Sequence, residues 1–305
     1  MQNFITKTFQ NFIRGKDIRK YKKSAFYYIF FRLVRKYLNS NIEVNIFNFK
    51  IWASNKKNKT SYSVLRKCDF TDKSELKLIE EISKKNKIFF IDCGSNFGFY
   101  SLYTASLSKE NNIISLEASP TTYKDHKENI ILNNFKNIEL FNIAVSENDD
   151  QLLNLNESKN DWESSIFHSN FDKILKTSIK TITIDSLSKN RNFDNLEVII
   201  KLDVEGYEMN SIEGAFDTIK NYSPLIIIEF SKFIQKNEKY NFDFLIKFLK
   251  KFDYLMYDHK FNQILMEDVL KRLDNLPKGH LTIGNNFLVK KSSKLEKFIL
   301  NLHKE

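Results

Sequence analysis

Apolar residues recur along this chain with two different periods, and the change of period divides it. Ile5, Phe9, Phe12 and Ile13 fall at i, i+4, i+7 and i+8, and Phe26, Ile29, Phe30, Leu33, Val34, Tyr37 and Leu38 continue a second stripe. That spacing predicts two helices, each apolar on one face and cationic on the other. Between Ile42 and Trp52 apolar and polar positions partly alternate, and a shorter strand-like piece runs around Tyr62 to Leu65. With the polar stretch Ser54-Asn55-Lys56-Lys57-Asn58 between them, the two pieces read as a hairpin leading into the main domain.

From Asp72 onward, helical stretches alternate with short buried strands. Asp72 and Glu75 have the spacing of a capping box, opening a helix with Leu76, Ile79 and Ile82 on its inner face. Apolar runs follow at Ile88–Ile91, Ile113–Leu116, Ile138–Val145, Val198–Leu202 and Leu225–Ile228, and later strands are expected around Tyr254–Tyr257 and Phe287–Val289. The alternation predicts an α/β fold, a mostly parallel seven-stranded sheet flanked by helices, over residues 71–305. Residues 1–70 form a helical and hairpin extension. The rhythm breaks between Asn148 and Ser186, where strand-like pieces at Gln151–Leu155 and Ile179–Ile184 bracket a polar interval. An insertion of that length is a disordered loop or a lid over a site, and Trp162, Phe167 and Phe171 favour the lid.

Composition removes several classes. With 42% hydrophobic and 14% aromatic residues the chain can build a core. No run approaches the ~18 uncharged apolar residues of a membrane-spanning helix. Two cysteines are too few for a disulfide framework or a four-sulfur zinc site, so a reducing, cytoplasmic compartment is expected. Charge is uneven: residues 1–40 hold ten cations and one anion, nearly all of the chain's net +10. The body is therefore close to neutral, unlike a nucleic-acid enzyme with phosphate-neutralising cations spread over its catalytic domain. Nucleic acid is not the expected partner. The basic arm has two competing readings, peripheral contact with an anionic inner-membrane surface or packing onto the body or a second subunit as a homodimer.

Glycine is scarce, and four of the seven lie in two short segments. In Ile91-Asp92-Cys93-Gly94-Ser95-Asn96-Phe97-Gly98-Phe99-Tyr100 a buried strand ends in an acid and a turn opens a helix. Ligands of open α/β sheets bind at this carboxyl edge, where glycine permits close backbone approach. The second glycine of a dinucleotide fingerprint is missing, since Asn96 stands there. An acid guarding the turn suits a cationic ligand end better than a phosphate. Some twenty residues on, Glu117 ends the next strand, placed to bind ribose hydroxyls. A ribose and an ammonium without phosphate describe S-adenosylmethionine. Ser95, Tyr100 and Ala118 belong to the same two strand ends, and at the third Ala144 reads either as an amide facing the adenine or as part of a plain buried strand. In Lys201-Leu202-Asp203-Val204-Glu205-Gly206-Tyr207-Glu208 three acids and a lysine crowd a further strand end. Glu208 reads there either as part of the site or as a first-turn helix acid with Lys201 as its salt partner.

These segments resemble the FkbM-type S-adenosylmethionine-dependent methyltransferases. Ile91 to Ser101 is similar to the family's I-D-x-G-A-N-x-G-x-Y-S, and Glu117-Ala118-Ser119-Pro120 to its E-P-x-P with Ala118 in place of the first proline. Asn129 and Asn133 match its paired asparagines, Thr183-Ile184-Asp185-Ser186-Leu187 its T-L-D-x-L, and Lys201 to Glu208 its K-I-D-V-E-G-x-E. Glu229 matches the acid ending the next strand. The resemblance implies a Rossmann-like methyltransferase fold, S-adenosylmethionine as methyl donor and, as in many members, an oxygen acceptor on a sugar or natural product.

A sugar hydroxyl gains from a general base. The candidates are Asp203 and Glu205, with Lys201 beside them and Glu229 on the neighbouring strand; His168 and His280 are alternatives that read more simply as surface residues. Three oxygens at adjoining strand ends are compatible with Mg²⁺ or Ca²⁺, but a metal is not expected. An NAD(P) enzyme would share the sheet and Glu117, and a nucleic-acid methyltransferase could use the arm; no N-P-P-Y or D-P-P-Y motif ends the fourth strand.

Overall fold

The computed structural model describes residues 2–38, 41–53, 59–158, 164–165, 174–236 and 239–304. The extension comprises helices α1 (Gln2–Ile13) and α2 (Ala25–Val34), strands β1 (Ile42–Ile46) and β2 (Phe49–Ala53), and helix α3 (Lys59–Lys67). In the body come α4 (Lys73–Ser83), β3 (Lys87–Cys93), α5 (Phe99–Leu107), β4 (Asn112–Leu116), α6 (Pro120–Asn133), β5 (Ile138–Phe141) and β6 (Ala144–Val145). They are followed by β7 (Leu152–Ser158), β8 (Ser164–Ser165), β9 (Ile174–Ile182), α7 (Ile184–Ser188), β10 (Leu196–Leu202), α8 (Glu208–Glu213), α9 (Phe216–Tyr222) and β11 (Leu225–Ser231). Last are α10 (Lys232–Lys236), α11 (Phe242–Phe252), β12 (Tyr254–Tyr257), β13 (Gln263–Ile264), α12 (Met266–Asp274), β14 (Thr282–Lys290) and α13 (Lys294–His303).

The main sheet runs β13-β12-β14-β11-β10-β3-β4-β5. Five strands, β5, β4, β3, β10 and β11, are parallel, and β14 enters antiparallel beside β11. The seven expected strands are present, with the two-residue β13 added at one edge. Chain order runs outward from β3 through β4 to β5 and resumes on the other side with β10 and β11. The switch between β3 and β10 opens a crevice at the strands' carboxyl ends, where such sheets take their ligands. Buried Ile88, Phe90, Ile199 and Ile227 fill one face, and Phe89, Ile91, Ile200 and Ile226 the other.

Four local expectations change. The hairpin lies wholly within residues 42–53, with Ile46 opposite Phe49 and the turn at Phe47, whose φ is 51°. Tyr62 to Leu65 belongs to α3, whose buried Ser61, Val64 and Leu65, continued by Cys68 just past its end, follow a helical spacing; residues 54–58 lie outside the described residues. The run 138–145 breaks at Asn142, so β5 closes the main sheet while β6 pairs with β9. β7 and β9 pair antiparallel along seven residues, making the insertion a β-ribbon. Its proposed lid residues, Trp162, Phe167 and Phe171, lie outside the described residues.

The extension shares the body's core. Phe9 and Ile13 of α1 pack with Tyr27, Phe31 and Val34 of α2 and with Leu38, in a buried cluster that reaches Leu76 of α4 and Leu302 of α13. Tyr27 anchors this contact through its hydroxyl, which donates to the Leu65 carbonyl at 2.6 Å. The buried side of α2 is thus Tyr27, Phe31 and Val34, and the expected inner residues Phe26, Ile29 and Leu33 point outward.

Carboxamides close both edges of the β1–β2 ribbon. On β1, Gln10 of α1 donates to the Glu43 carbonyl and accepts from its N–H, both at 2.9 Å. On β2, Asn133 of α6 does the same to Lys50, at 2.8 and 2.7 Å. Asn129, one turn earlier, accepts from Trp52 N–H at 2.8 Å and donates to the Phe97 carbonyl at 2.9 Å. The paired asparagines therefore fasten the extension to the turn after β3.

Candidate active site

A cavity of about 700 Å³ occupies the crevice, and Asp92, Gly94, Ser95, Asn96, Glu117 and Asp203 line it. Tyr100, Ala118, Ala144, Lys201, Glu205 and Glu229 also line it, and of the described residues named from the sequence for the donor and the base only Gly98 does not. Lys201 is the only lysine or arginine among its described lining residues.

The turn after β3 is built largely from its own backbone. The N–H groups of Gly94 and Ser95 both donate to the Leu116 carbonyl, and that of Gly98 to Ser95. A Cβ on Gly94 would sit 1.9 Å from the Asp203 carbonyl oxygen, and one on Gly98 2.1 Å from the His126 ring; both have positive φ. Close packing within the chain therefore requires glycine at both positions. Ser95 Oγ is engaged by His126 Nδ1 at 3.0 Å, and burial pushes that imidazole down to about 3.

Glu117 is buried and held by two amides, Asn96 N–H on Oε2 and Ser119 N–H on Oε1, each at 2.8 Å. Burial still pushes its carboxyl up to about 7, against the pull of those donors. A carboxylate oxygen accepts more than one hydrogen bond, so each retains capacity toward the cavity. Asp92 accepts from Ser101 Oγ through Oδ2, while its buried Oδ1 has no partner among the described residues. Burial raises its carboxyl above the usual range, opposed chiefly by Lys201.

Lys201 and Asp92 are partners in the β10–β3 register. The lysine is 2% exposed, its Nζ lies 2.8 Å from Asp203 Oδ2 and 4.8 Å from the centre of the Tyr100 ring. Burial alone would depress it; Asp203 and Asp92 instead hold it above its ordinary value. Its salt partner is thus Asp203, not Glu208. Glu208 turns its Oε1 onto the N–H groups of Val204 and Gly206, tightening the loop after β10, and burial pushes its carboxyl up to about 8. Glu229 is likewise pushed to about 8, by burial and then by Asp203 and Glu205. Among the described residues no three His, Cys, Asp or Glu side chains converge as a metal site.

Several contributors escaped the sequence. Asp72 does begin α4, but its side chain makes no cap; it accepts from Tyr100 Oη at 2.8 Å, so the capping box with Glu75 does not form. Glu75 is buried, and burial followed by the Asp72 charge pushes it to about 7. His280, read as a surface residue, is exposed but lines the cavity beside Leu281 and Thr282. His168 lies outside the described residues. Asp185, from the T-I-D-S-L segment, is not in the site: its oxygens accept from Asp217 N–H and Thr218 N–H, capping α9.

Residues 92–256 match the model of the methyltransferase FkbM domain, over half of the chain. The chain belongs to the FkbM methyltransferase family. The matched region carries the β3 turn, Glu117 and the Lys201–Glu208 loop, while the extension and β14 lie outside it. No curated protein matches the chain. Among solved structures, an FkbM methyltransferase from Methylobacillus flagellatus KT is 15% identical with a TM-score of 0.34. The match covers 83% of this chain but only 53% of that protein, so the chain spans about half its length. P. horikoshii TYW2 in complex with MeSAdo is 14% identical, covering 83% and 73% of the two chains, with a TM-score of 0.43. M. jannaschii TYW2 in complex with AdoMet is 11% identical, covering 83% and 87%, with a TM-score of 0.40. At these scores the structural likenesses add nothing beyond the family match.

Proposed function

We propose that this FkbM-family protein transfers a methyl group from S-adenosylmethionine to an oxygen of a neutral acceptor, a sugar hydroxyl on a small molecule or glycan. The observation that carries the reading is the crowd of carboxyl groups in the cavity wall. Asp72, Asp92, Glu117, Asp203, Glu205 and Glu229 line it, with Lys201 already paired to Asp203. Such a wall favours a ligand with a sulfonium and an ammonium and disfavours a pyrophosphate cofactor or a phosphodiester acceptor.

The residues fit that donor on two counts, the partnerless buried Asp92 Oδ1 and the remaining acceptor capacity of Glu117. Bound there, S-adenosylmethionine would supply an already activated methyl group. Glu117 would hold the ribose hydroxyls, the Asp92–Gly98 turn and Tyr100 the methionine portion, and Ala118 and Ala144 would border the adenine. The protein's remaining task is to orient the acceptor and take its hydroxyl proton. Asp203 and Glu205, with Glu229 across the next strand, are the groups for that proton, and Lys201 fixes the position of Asp203.

Calorimetric titration of the full chain tests the donor site. Glu117→Ala should weaken S-adenosylmethionine binding by about 1–3 kcal/mol, the cost of leaving ribose hydroxyls unpaired. An unchanged dissociation constant, or tighter binding of a nicotinamide dinucleotide than of S-adenosylmethionine, would overturn the reading.

A further inference from the structure

The outer side of α2 is apolar and uncovered. Phe26, Ile29 and Leu33 are 65%, 62% and 67% exposed, at the i, i+3, i+7 spacing of one helical stripe. Phe4 on α1 is 73% exposed. These side chains are not spare core, since the opposite side of α2 already fills the core through Tyr27, Phe31 and Val34.

Cations flank this stripe. Arg32 and Lys36 are exposed, one position before Leu33 and three after it. Beside α2 lies an open groove of about 480 Å³ whose lining includes Lys22, Arg32, Arg35, Arg66 and Lys67, with no carboxylate among its described residues. Lys22 is paired with Asp69 at the rim. The groove thus concentrates positive charge on a flank of α2, with Arg32 three positions after Ile29 of the apolar stripe.

We propose that this face docks on an anionic phospholipid bilayer, with Phe26, Ile29 and Leu33 entering the interfacial region and the groove cations meeting headgroup phosphates. An amphipathic helix lying in the membrane plane needs both features together. Among the described residues no helix is long and apolar enough to cross a membrane, so the contact would be peripheral. A nucleic acid would satisfy the cations but leave Ile29 and Leu33 without partners. A second copy would cover the apolar stripe but bring two strongly basic arms together.

Co-sedimentation of the full chain with vesicles of phosphatidylcholine alone, or with phosphatidylglycerol added, tests the proposal. Binding should need phosphatidylglycerol and fall at least about tenfold in molar salt, where screening is nearly complete. Ile29→Ser/Leu33→Ser and, separately, Arg32→Ala/Arg35→Ala/Arg66→Ala should each lower binding about tenfold or more while the cooperative melt is kept. Equal binding to both vesicle types, or undiminished binding by the serine variant, would overturn the proposal. So would tighter binding to a short RNA than to the anionic vesicles, or a solution dimer that the serine variant converts to monomer.

Discussion

Replacing Lys201 by Met isolates what the buried cation does. Methionine fills most of the volume of the lysine stem, so the change removes charge while leaving little cavity. Two carboxylates lose their counterion, with unequal consequences. Asp203 has a side chain 37% exposed and can turn to water. Asp92 is 1% exposed with one oxygen already unpartnered, and cannot. Orphaning a buried charge costs about 3–5 kcal/mol; with Asp203 partly hydrated, the lower end, about 3 kcal/mol, is expected at neutral pH. The sign with pH follows from Asp92. Its carboxyl already stands above the usual range and loses its main opposing influence, so its folded pKa rises further. An acid with a raised folded pKa leaves the fold unpenalised only below its unfolded pKa, and the penalty grows as pH climbs toward the folded one, so the deficit should be smaller in mild acid than at mildly alkaline pH. Adding Asp92→Asn should recover more than half of the loss. Urea unfolding at the two pH values reads all three outcomes. A deficit below about 1 kcal/mol, or one of equal size at both pH values, would refute the view that Lys201 neutralises Asp92.

Asp203→Asn should melt cooperatively while methyl transfer to a sugar acceptor falls about 10²-fold, as for loss of a base; full activity would remove Asp203 from that role. Glu208, 1% exposed and pushed up to about 8, keeps its proton in the fold after the unfolded carboxyl has lost it, so stability should decline from about pH 5 to about pH 8 and level off above. Glu208→Gln keeps the acceptor for Val204 and Gly206 and should flatten that decline, visible in urea midpoints across pH. Asn133→Ala removes both bonds to Lys50 and should cost about 1–3 kcal/mol. Faster amide exchange concentrated in β2 would confirm it; uniform exchange across the fold would not.

Much of the fold was legible because the central strands are short apolar runs and the two glycine segments mark where β3 and β10 meet the cavity. Glu117 and Asp203 were readable from their place at strand ends alone. The hairpin was not, because its turn carries Phe47, an apolar residue at positive φ where sequence reading looks for glycine or asparagine. Tyr62 and Val64 have strand-forming side chains, yet the packing of Ser61, Val64, Leu65 and Cys68 overrode that preference. Asp72 looked like a cap because nothing local indicates that Tyr100, far along the chain, would claim its oxygen. His280 reaches the cavity through the strand order, with β14 inserted between β11 and β12, which no periodicity reveals.

The carboxamides of Gln10 and Asn133 bear on how the molecule ages. A two-stranded ribbon with open edges invites another chain to pair with it. Here the backbone groups of Glu43 and Lys50 are already engaged by side chains that offer a donor and an acceptor together. Spontaneous hydrolysis of Asn133 to aspartate would replace the donor with a second acceptor and turn a negative oxygen toward the Lys50 carbonyl. The lesion is one atom in size and lies away from the cavity. Its expected first symptom in stored protein is edge-to-edge aggregation, ahead of any loss of activity in the molecules still dissolved.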